Sequence, residues 1–288
     1  MLCDDSTMIT GRALAALAGA GLTAVVVGCG ASSTAARPDA GDATSPDDRG
    51  FDVASGDDAG TDVPPAFPRA LFNGTDFTGW DRYLGTPAPG ADPLGLNNDP
   101  QDVFSVVAVD GEPAIRISGQ TFGALISQPE LCDFHLSLEY RWGTQVWPPS
   151  PGFDSGVMYL STGPLGAVNA GGPALSNPIG SGGFMVSMEY QLTVADAGGM
   201  YNLGPITFTA GPRAQLSYVP DAWNQIEIIV RGGVATHRLN GQDVTTGMDF
   251  AVAWPGEAAQ LLTCGKLQLQ SEGAEIFFRR VQLLAPGS

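Results

Sequence analysis

Two tripeptides carry the polar side chains best spaced for chemistry, Glu139-Tyr140-Arg141 and Glu189-Tyr190-Gln191. Residues two apart in an extended chain share a face, so each tripeptide sets a carboxylate beside a guanidinium or an amide. A carboxylate can take or give a proton, and a neighbouring cation or amide can hold a developing oxyanion. If both segments face one groove, Glu139 and Glu189 make a carboxylate pair whose separation decides its chemistry. The plain alternative is an ion pair between neighbouring strands, which is common and worth little. Other catalytic patterns are thin. His135 and His237 are far apart and no cysteines are patterned with them, so there is no zinc signature and no metal is expected. Gly152-Phe153-Asp154-Ser155-Gly156 has the wrong order for a nucleophile elbow, and no phosphate loop or other cofactor motif occurs.

The elements that must position these residues are strands. Asp133 to Trp142 alternates without a break, placing Phe134, Leu136, Leu138, Tyr140 and Trp142 inward and His135, Ser137, Glu139 and Arg141 outward. Phe184 to Leu192 does the same, with Phe184, Val186, Met188, Tyr190 and Leu192 inward and Ser187, Glu189 and Gln191 outward. Further strands are expected at Val103–Val109, Ala114–Ser118, Ala124–Ser127, Gly156–Ser161, Trp223–Arg231, Ala235–Leu239, Lys266–Gln270 and Glu275–Leu284. Gly232-Gly233 and Asn240-Gly241 read as hairpin turns, and Asn73-Gly74 as another near the start. The 39 Gly and 22 Pro suit many short strands, and no helical period is sustained, so an all-β sandwich is expected. Trp147 to Gly152 and Gly163 to Gly183 break the alternation and read as rim loops.

The chain has 288 residues and a formal charge of −17, which argues against nucleic acid as a partner. Residues 1–29 read as an export signal: Arg12, an apolar run from Ala13 to Val27, then Gly28-Cys29. That ending resembles a lipobox, so Cys29 is the expected lipidation site; an unlipidated signal with an incidental cysteine is the alternative. Residues 30–66 are rich in Ala, Gly, Ser, Thr, Pro and Asp and almost lack large apolar residues, so a disordered acidic linker is expected. Asp57 to Asp62 only faintly echoes a calcium loop. One domain is expected over 67–286, presented at the outer membrane or cell surface by its lipid. Cys132 and Cys264 each precede an expected strand, so they either bridge or stay as two buried thiols.

Leu71-Phe72-Asn73-Gly74 followed by Gly79-Trp80 resembles the opening of the 3-keto-disaccharide hydrolase domain family. The resemblance continues in order through Glu139-Tyr140-Arg141, Ser155-Gly156-Val157, Glu189-Tyr190-Gln191, Gly199-Met200-Tyr201, Trp223 to Ile228, Leu239-Asn240-Gly241, Leu269-Gln270 and Phe278 to Val281. It implies a concanavalin A-like jelly-roll sandwich that cleaves glycosidic bonds of sugars oxidised at C3. A C3 ketone acidifies the C2 proton; removing it gives an enolate that expels the C1 substituent, after which water can add. On that basis Glu189 is the candidate base, Arg141 the enolate partner and Glu139 its orienting group. Gln191, Gln270 and Ser155 are candidate sugar contacts, and Tyr201 and Trp147 candidate stacking rings, with core packing or loop anchoring as the alternative for the rings. The chain departs from the family where Asp154 stands for Asn, where Leu160 stands for Arg, where no Asp follows Gln191 closely, and where Ser271-Glu272 replace a His. Those departures keep a second function open: a non-catalytic carbohydrate-binding or adhesion module. A structural envelope protein without a ligand is a third.

Overall fold

Alternation becomes strands along most of the domain. The computed structural model describes residues 66–285 except 89, 149, 151 and 169–181; the export signal, Cys29, nearly all of the acidic linker and residue 286 lie outside the described residues. In chain order the strands are β1 (Arg69–Ala70), β2 (Trp80–Leu84), β3 (Gly95–Leu96), β4 (Phe104–Val109), β5 (Glu112–Ile117) and β6 (Gly123–Ser127). They continue with β7 (Phe134–Val146), β8 (Asp154–Thr162), β9 (Val186–Thr193), β10 (Ala197–Leu203), β11 (Ile206–Arg213) and β12 (Asn224–Arg231). The last are β13 (Val234–Leu239), β14 (Gln242–Val252), β15 (Gln260–Leu261), β16 (Lys266–Ser271) and β17 (Ala274–Leu283). Among the described residues there is no helix.

The strands form two antiparallel sheets packed as a jelly-roll sandwich. The larger runs β11-β14-β13-β12-β7-β17-β5-β4, with β1 on β17 and β15 on β14; the smaller runs β10-β9-β8-β16-β6-β2-β3. The core lies between them. Leu136, Leu138 and Tyr140 of β7 meet Val157 and Tyr159 of β8 and Met188 and Tyr190 of β9 in one buried cluster, burying the apolar surface that drives folding. Polar ties cross that core. Burial pushes the His237 imidazole down to about 4, so it is neutral at pH 7. Its Nδ1–H donates to the Gly198 carbonyl at 3.0 Å and its Nε2 accepts from the Tyr159 hydroxyl at 2.9 Å, joining β13 to β10 and β8.

Both expected later hairpins form. Arg231 pairs with Val234 around Gly232-Gly233, and Leu239 with Gln242 around Asn240-Gly241. In each turn both central residues have positive φ, which glycine and asparagine tolerate. The opening segment is different: Asn73-Gly74 does not close a hairpin. β1 joins the larger sheet and β2 the smaller, so residues 71–79 carry the chain from one sheet to the other. The Asn73 side chain accepts from the Thr75 and Asp76 amides, and the Trp80 indole N–H donates to the Leu71 carbonyl at 2.7 Å, which fixes the crossing. Phe184 is also corrected. Pairing with Val168 just before β9 begins, it packs outside the smaller sheet instead of in the main core.

A bridge between Cys132 and Cys264 ties the start of β7 to the start of β16, and hence one sheet to the other. Its 132-residue separation closes a long loop, and such cross-links act largely on the unfolded chain. Reduction, or the Cys132→Ser/Cys264→Ser pair, is expected to lower unfolding stability by about 2–5 kcal/mol while circular dichroism keeps its β signature; an unchanged denaturation midpoint would count against the cross-link.

Candidate active site

The larger sheet's outer face is a lattice of ion pairs. Arg279 and Arg280 donate to Glu139 at 2.6 and 2.9 Å. Arg141 instead reaches Asp110 at 2.9 Å. The guanidinium carbons of Arg141 and Arg279 lie 5.1 and 4.1 Å from the Trp223 ring centroid, and the Trp223 N–H donates to Asp110. Glu139 therefore does not orient Arg141.

Neither residue meets Glu189. β7 and β9 belong to different sheets that share one core, so their polar faces point in opposite directions. The structure thus separates the expected groove into two surfaces. Glu139 and Arg141 lie on one; Glu189, Gln191, Gln270 and Tyr201 lie on the other.

The second surface is the outer face of the smaller sheet. Register places Tyr201 opposite Glu189 and Glu189 opposite Met158, with Gln191 opposite Gly156. Gln270 pairs with Ala124 on β16's other side. Part of this face is dry. Phe122, Ala124, Ile126, Met158, Phe184, Met185 and Leu203 form a second apolar cluster over it. Beneath that cover Gln268 is fully buried, donating to Ser161 and Ser187 and accepting from the Met185 amide. Glu189, expected to face water, is only 5% exposed.

Gly156 makes the floor. A Cβ there would sit 2.5 Å from Glu189 Oε1 and 2.8 Å from Gln270 Oε1, so those two oxygens converge over the bare backbone. Asp154 lies two residues earlier on the same face of β8, and Glu272 follows β16 two residues beyond Gln270. The sequence singled out both only as departures; their spacing of two from Gly156 and Gln270 was the available signal. Burial, then the charge of Asp154, push the Glu189 carboxyl up to about 8, against a lowering hydrogen bond from Gln270. Burial raises Asp154 to about 6. Burial and the charges of Asp154 and Glu189 hold Glu272 well above the usual carboxylate range. Glu189 is buried and Asp154 and Glu272 are half-buried, so the three neighbouring carboxyls resist ionising together.

Gln191 is half-buried and its Oε1 accepts from the Leu192 amide. Ser155 is corrected: it faces the core, fully buried, and donates to the Gln270 carbonyl at 2.9 Å, so it fastens β8 to β16 below the carboxyls. The Tyr201 ring is 43% exposed beside Glu189, and its hydroxyl donates to Asp196 at 2.6 Å. Arg213, from the other sheet, grips the same carboxylate at 3.0 Å. Trp147 anchors its loop by donating to the Ser118 carbonyl at 2.9 Å, leaving the ring partly exposed.

Because the folded-state value of Glu189 lies above its ordinary 4.5, the stability linked to its proton is complete below that pH and is lost as pH rises through about 8. His237 acts in reverse: its contribution is complete above 6.5 and lost as pH falls toward about 4. The thermal midpoint is therefore expected to decline between pH 6.5 and 8, and Glu189→Gln to flatten that decline; an equal slope in the variant would mean the carboxyl is solvated.

Comparison with solved structures finds a provisionally assigned glycosyl hydrolase from Parabacteroides distasonis, 20% identical, covering 74% of this chain and 91% of that one, with a TM-score of 0.45. A carbohydrate-binding module, CBM66 from Bacillus subtilis, is 11% identical over 72% of this chain and 96% of its own, TM-score 0.37. The β-glucanase of Bacillus licheniformis is 10% identical over 76% and 96%, TM-score 0.39. No curated protein matches. Residues 68–284, nearly the whole described sandwich, match one domain family. The chain belongs to the 3-keto-alpha-glucoside-1,2-lyase-like domain family.

Proposed function

We propose that the outer face of the smaller sheet cleaves 3-keto-glycosides, as lyase or hydrolase, with Glu189 as the base. The observation that carries this is a carboxyl buried on an outward face with its pKa raised to about 8 beside two other carboxyls. A water-excluded carboxyl beside others that titrate differently is what proton transfer near neutral pH needs. Glu189 removes the C2 proton. Glu272, kept neutral, donates a hydrogen bond to the developing enolate oxygen, the part the sequence had given to Arg141. As the C1–O bond breaks, the proton held by Glu189 passes to the departing oxygen; in a hydrolytic cycle water then adds to the unsaturated sugar. Gln191 and Gln270 hold hydroxyls and Tyr201 offers a ring for stacking.

One observation favours the runner-up, a carbohydrate-binding module without turnover. Among the described residues no guanidinium or ammonium is paired with Asp154, Glu189 or Glu272; the nearby Arg213 is already committed to Asp196. Turnover of a 3-keto-glucoside by the protein separates the two. Glu189→Gln is expected to lower kcat by roughly 10²–10⁴, with kcat/KM of the native protein rising toward pH 8. Arg141→Ala, on the far sheet, is expected to change kcat less than about twofold. Full activity in Glu189→Gln removes the base.

The same reading places the domain on the cell envelope through a lipid on Cys29. Cys29→Ser is expected to move the protein from the membrane fraction to the soluble one; retention in the membrane fraction would point to another anchor.

A further inference from the structure

Once Glu189 is ionised, two buried acceptors in the site have no donor: Gln270 Oε1 and Asp154 Oδ1. Gln270 is 1% exposed, and its unpartnered oxygen points over Gly156 toward Glu189. A buried acceptor left unpaired costs the site its lost hydration, so the arrangement is matched to something that donates. The Glu189 carboxyl converges on it, and the charges of Asp154 and Glu189 reach Glu272 beyond the end of β16. The sugar hydroxyls assumed so far donate one proton each and carry no charge, so they fill acceptors without relieving the crowding of carboxylates. A protonated amine does both, with three donors and a positive charge. A bare divalent cation is the other species that relieves the charge. It requires ligands already converged, and among the described residues no group of three carboxylate, imidazole or thiol side chains does so.

We propose that the sugar this site takes is an amino sugar, its ammonium seated over Gly156 between Asp154, Glu189 and Gln270. This rests on the reading of the face as a sugar site and narrows its substrate class. Tyr201 then borders the ring that carries the amine, since it stands directly across from Glu189. Binding of a cation favours the ionised carboxyls, so protons leave as the ligand enters, and affinity rises with pH until the amine itself deprotonates.

The test is calorimetry on the protein with three matched ligands: a glucosamine disaccharide, its N-acetylated form, and the corresponding glucose disaccharide. Titrations at pH 7 use two buffers of different ionisation enthalpy. The amine is expected to bind at least about tenfold more tightly than either neutral form, with heats that reveal proton release. Asp154→Asn and Glu272→Gln are each expected to erase that preference while leaving the thermal midpoint at pH 8 unchanged or higher, which separates loss of the site from loss of the fold. Equal affinity for the three ligands overturns the proposal. So does an amine titration without proton release, or calcium chloride binding that blocks the amine at micromolar concentration. Glu189-dependent turnover of a neutral 3-keto-glucoside without amine preference defeats this inference alone. Amine preference without turnover of any 3-keto-glycoside defeats the catalytic reading alone.

Discussion

The carboxyl of Glu189 sits on an outward face yet out of water, and the rest of the site depends on that contradiction. On a bare sheet it would be an ordinary surface carboxylate, ionised at neutral pH and indifferent to its neighbours. The second apolar cluster, with Phe184, Met185 and Leu203 laid over the smaller sheet, includes Met158, the residue paired with Glu189, and dries that side of it. Burial raises Glu189, Asp154 and Glu272, and the charge of Asp154 raises the other two further. Gly156 completes the arrangement by leaving room where any side chain would touch two of the oxygens.

The two outer faces solve the same problem in opposite ways. The larger sheet answers its central charges with partners: Glu139 with two arginines, Arg141 with Asp110, Arg116 with Glu275. Such a surface is satisfied before any ligand arrives, and its individual pairs add little to stability. The smaller sheet leaves acceptors unanswered and carboxyls unneutralised. An unsatisfied, partly dry surface is a poor way to stabilise a fold and a good way to bind something complementary.

The sandwich was legible because alternation over β7 and β9 is strict and the Gly232-Gly233 and Asn240-Gly241 turns permit one backbone geometry. β2, β10, β11 and the two-residue β1, β3 and β15 were not foreseen, and β14 only as the strand beyond the Asn240-Gly241 turn. β10 and β11 carry Gly198, Gly199 and Gly211, the latter beside Pro212, which dilute the pattern where a sheet ends. The site was half legible. Period two states which residues of one strand share a side; it cannot state which sheet the strand joins. That choice is made by pairings between distant segments, such as β7 with β12 and β17. Glu139 and Arg141 were misplaced for that reason, while Glu189, Gln191 and Gln270 fell together because β9, β8 and β16 are neighbours. Phe184 misled in a different way: its apolar character was plain, but a residue just outside a strand is free to turn to the other face.

β17, the final strand in chain order, occupies the middle of the larger sheet, wedged between β7 and β5. The edges of that sheet are made from earlier parts of the chain, and its centre arrives last. A ribosome delivers the polypeptide from the other end, so β7 and β5 must wait with open hydrogen-bonding rims until Ala274–Leu283 has been synthesised. The nascent molecule therefore has no closed half to fall back on, and the sandwich is completed late and all at once.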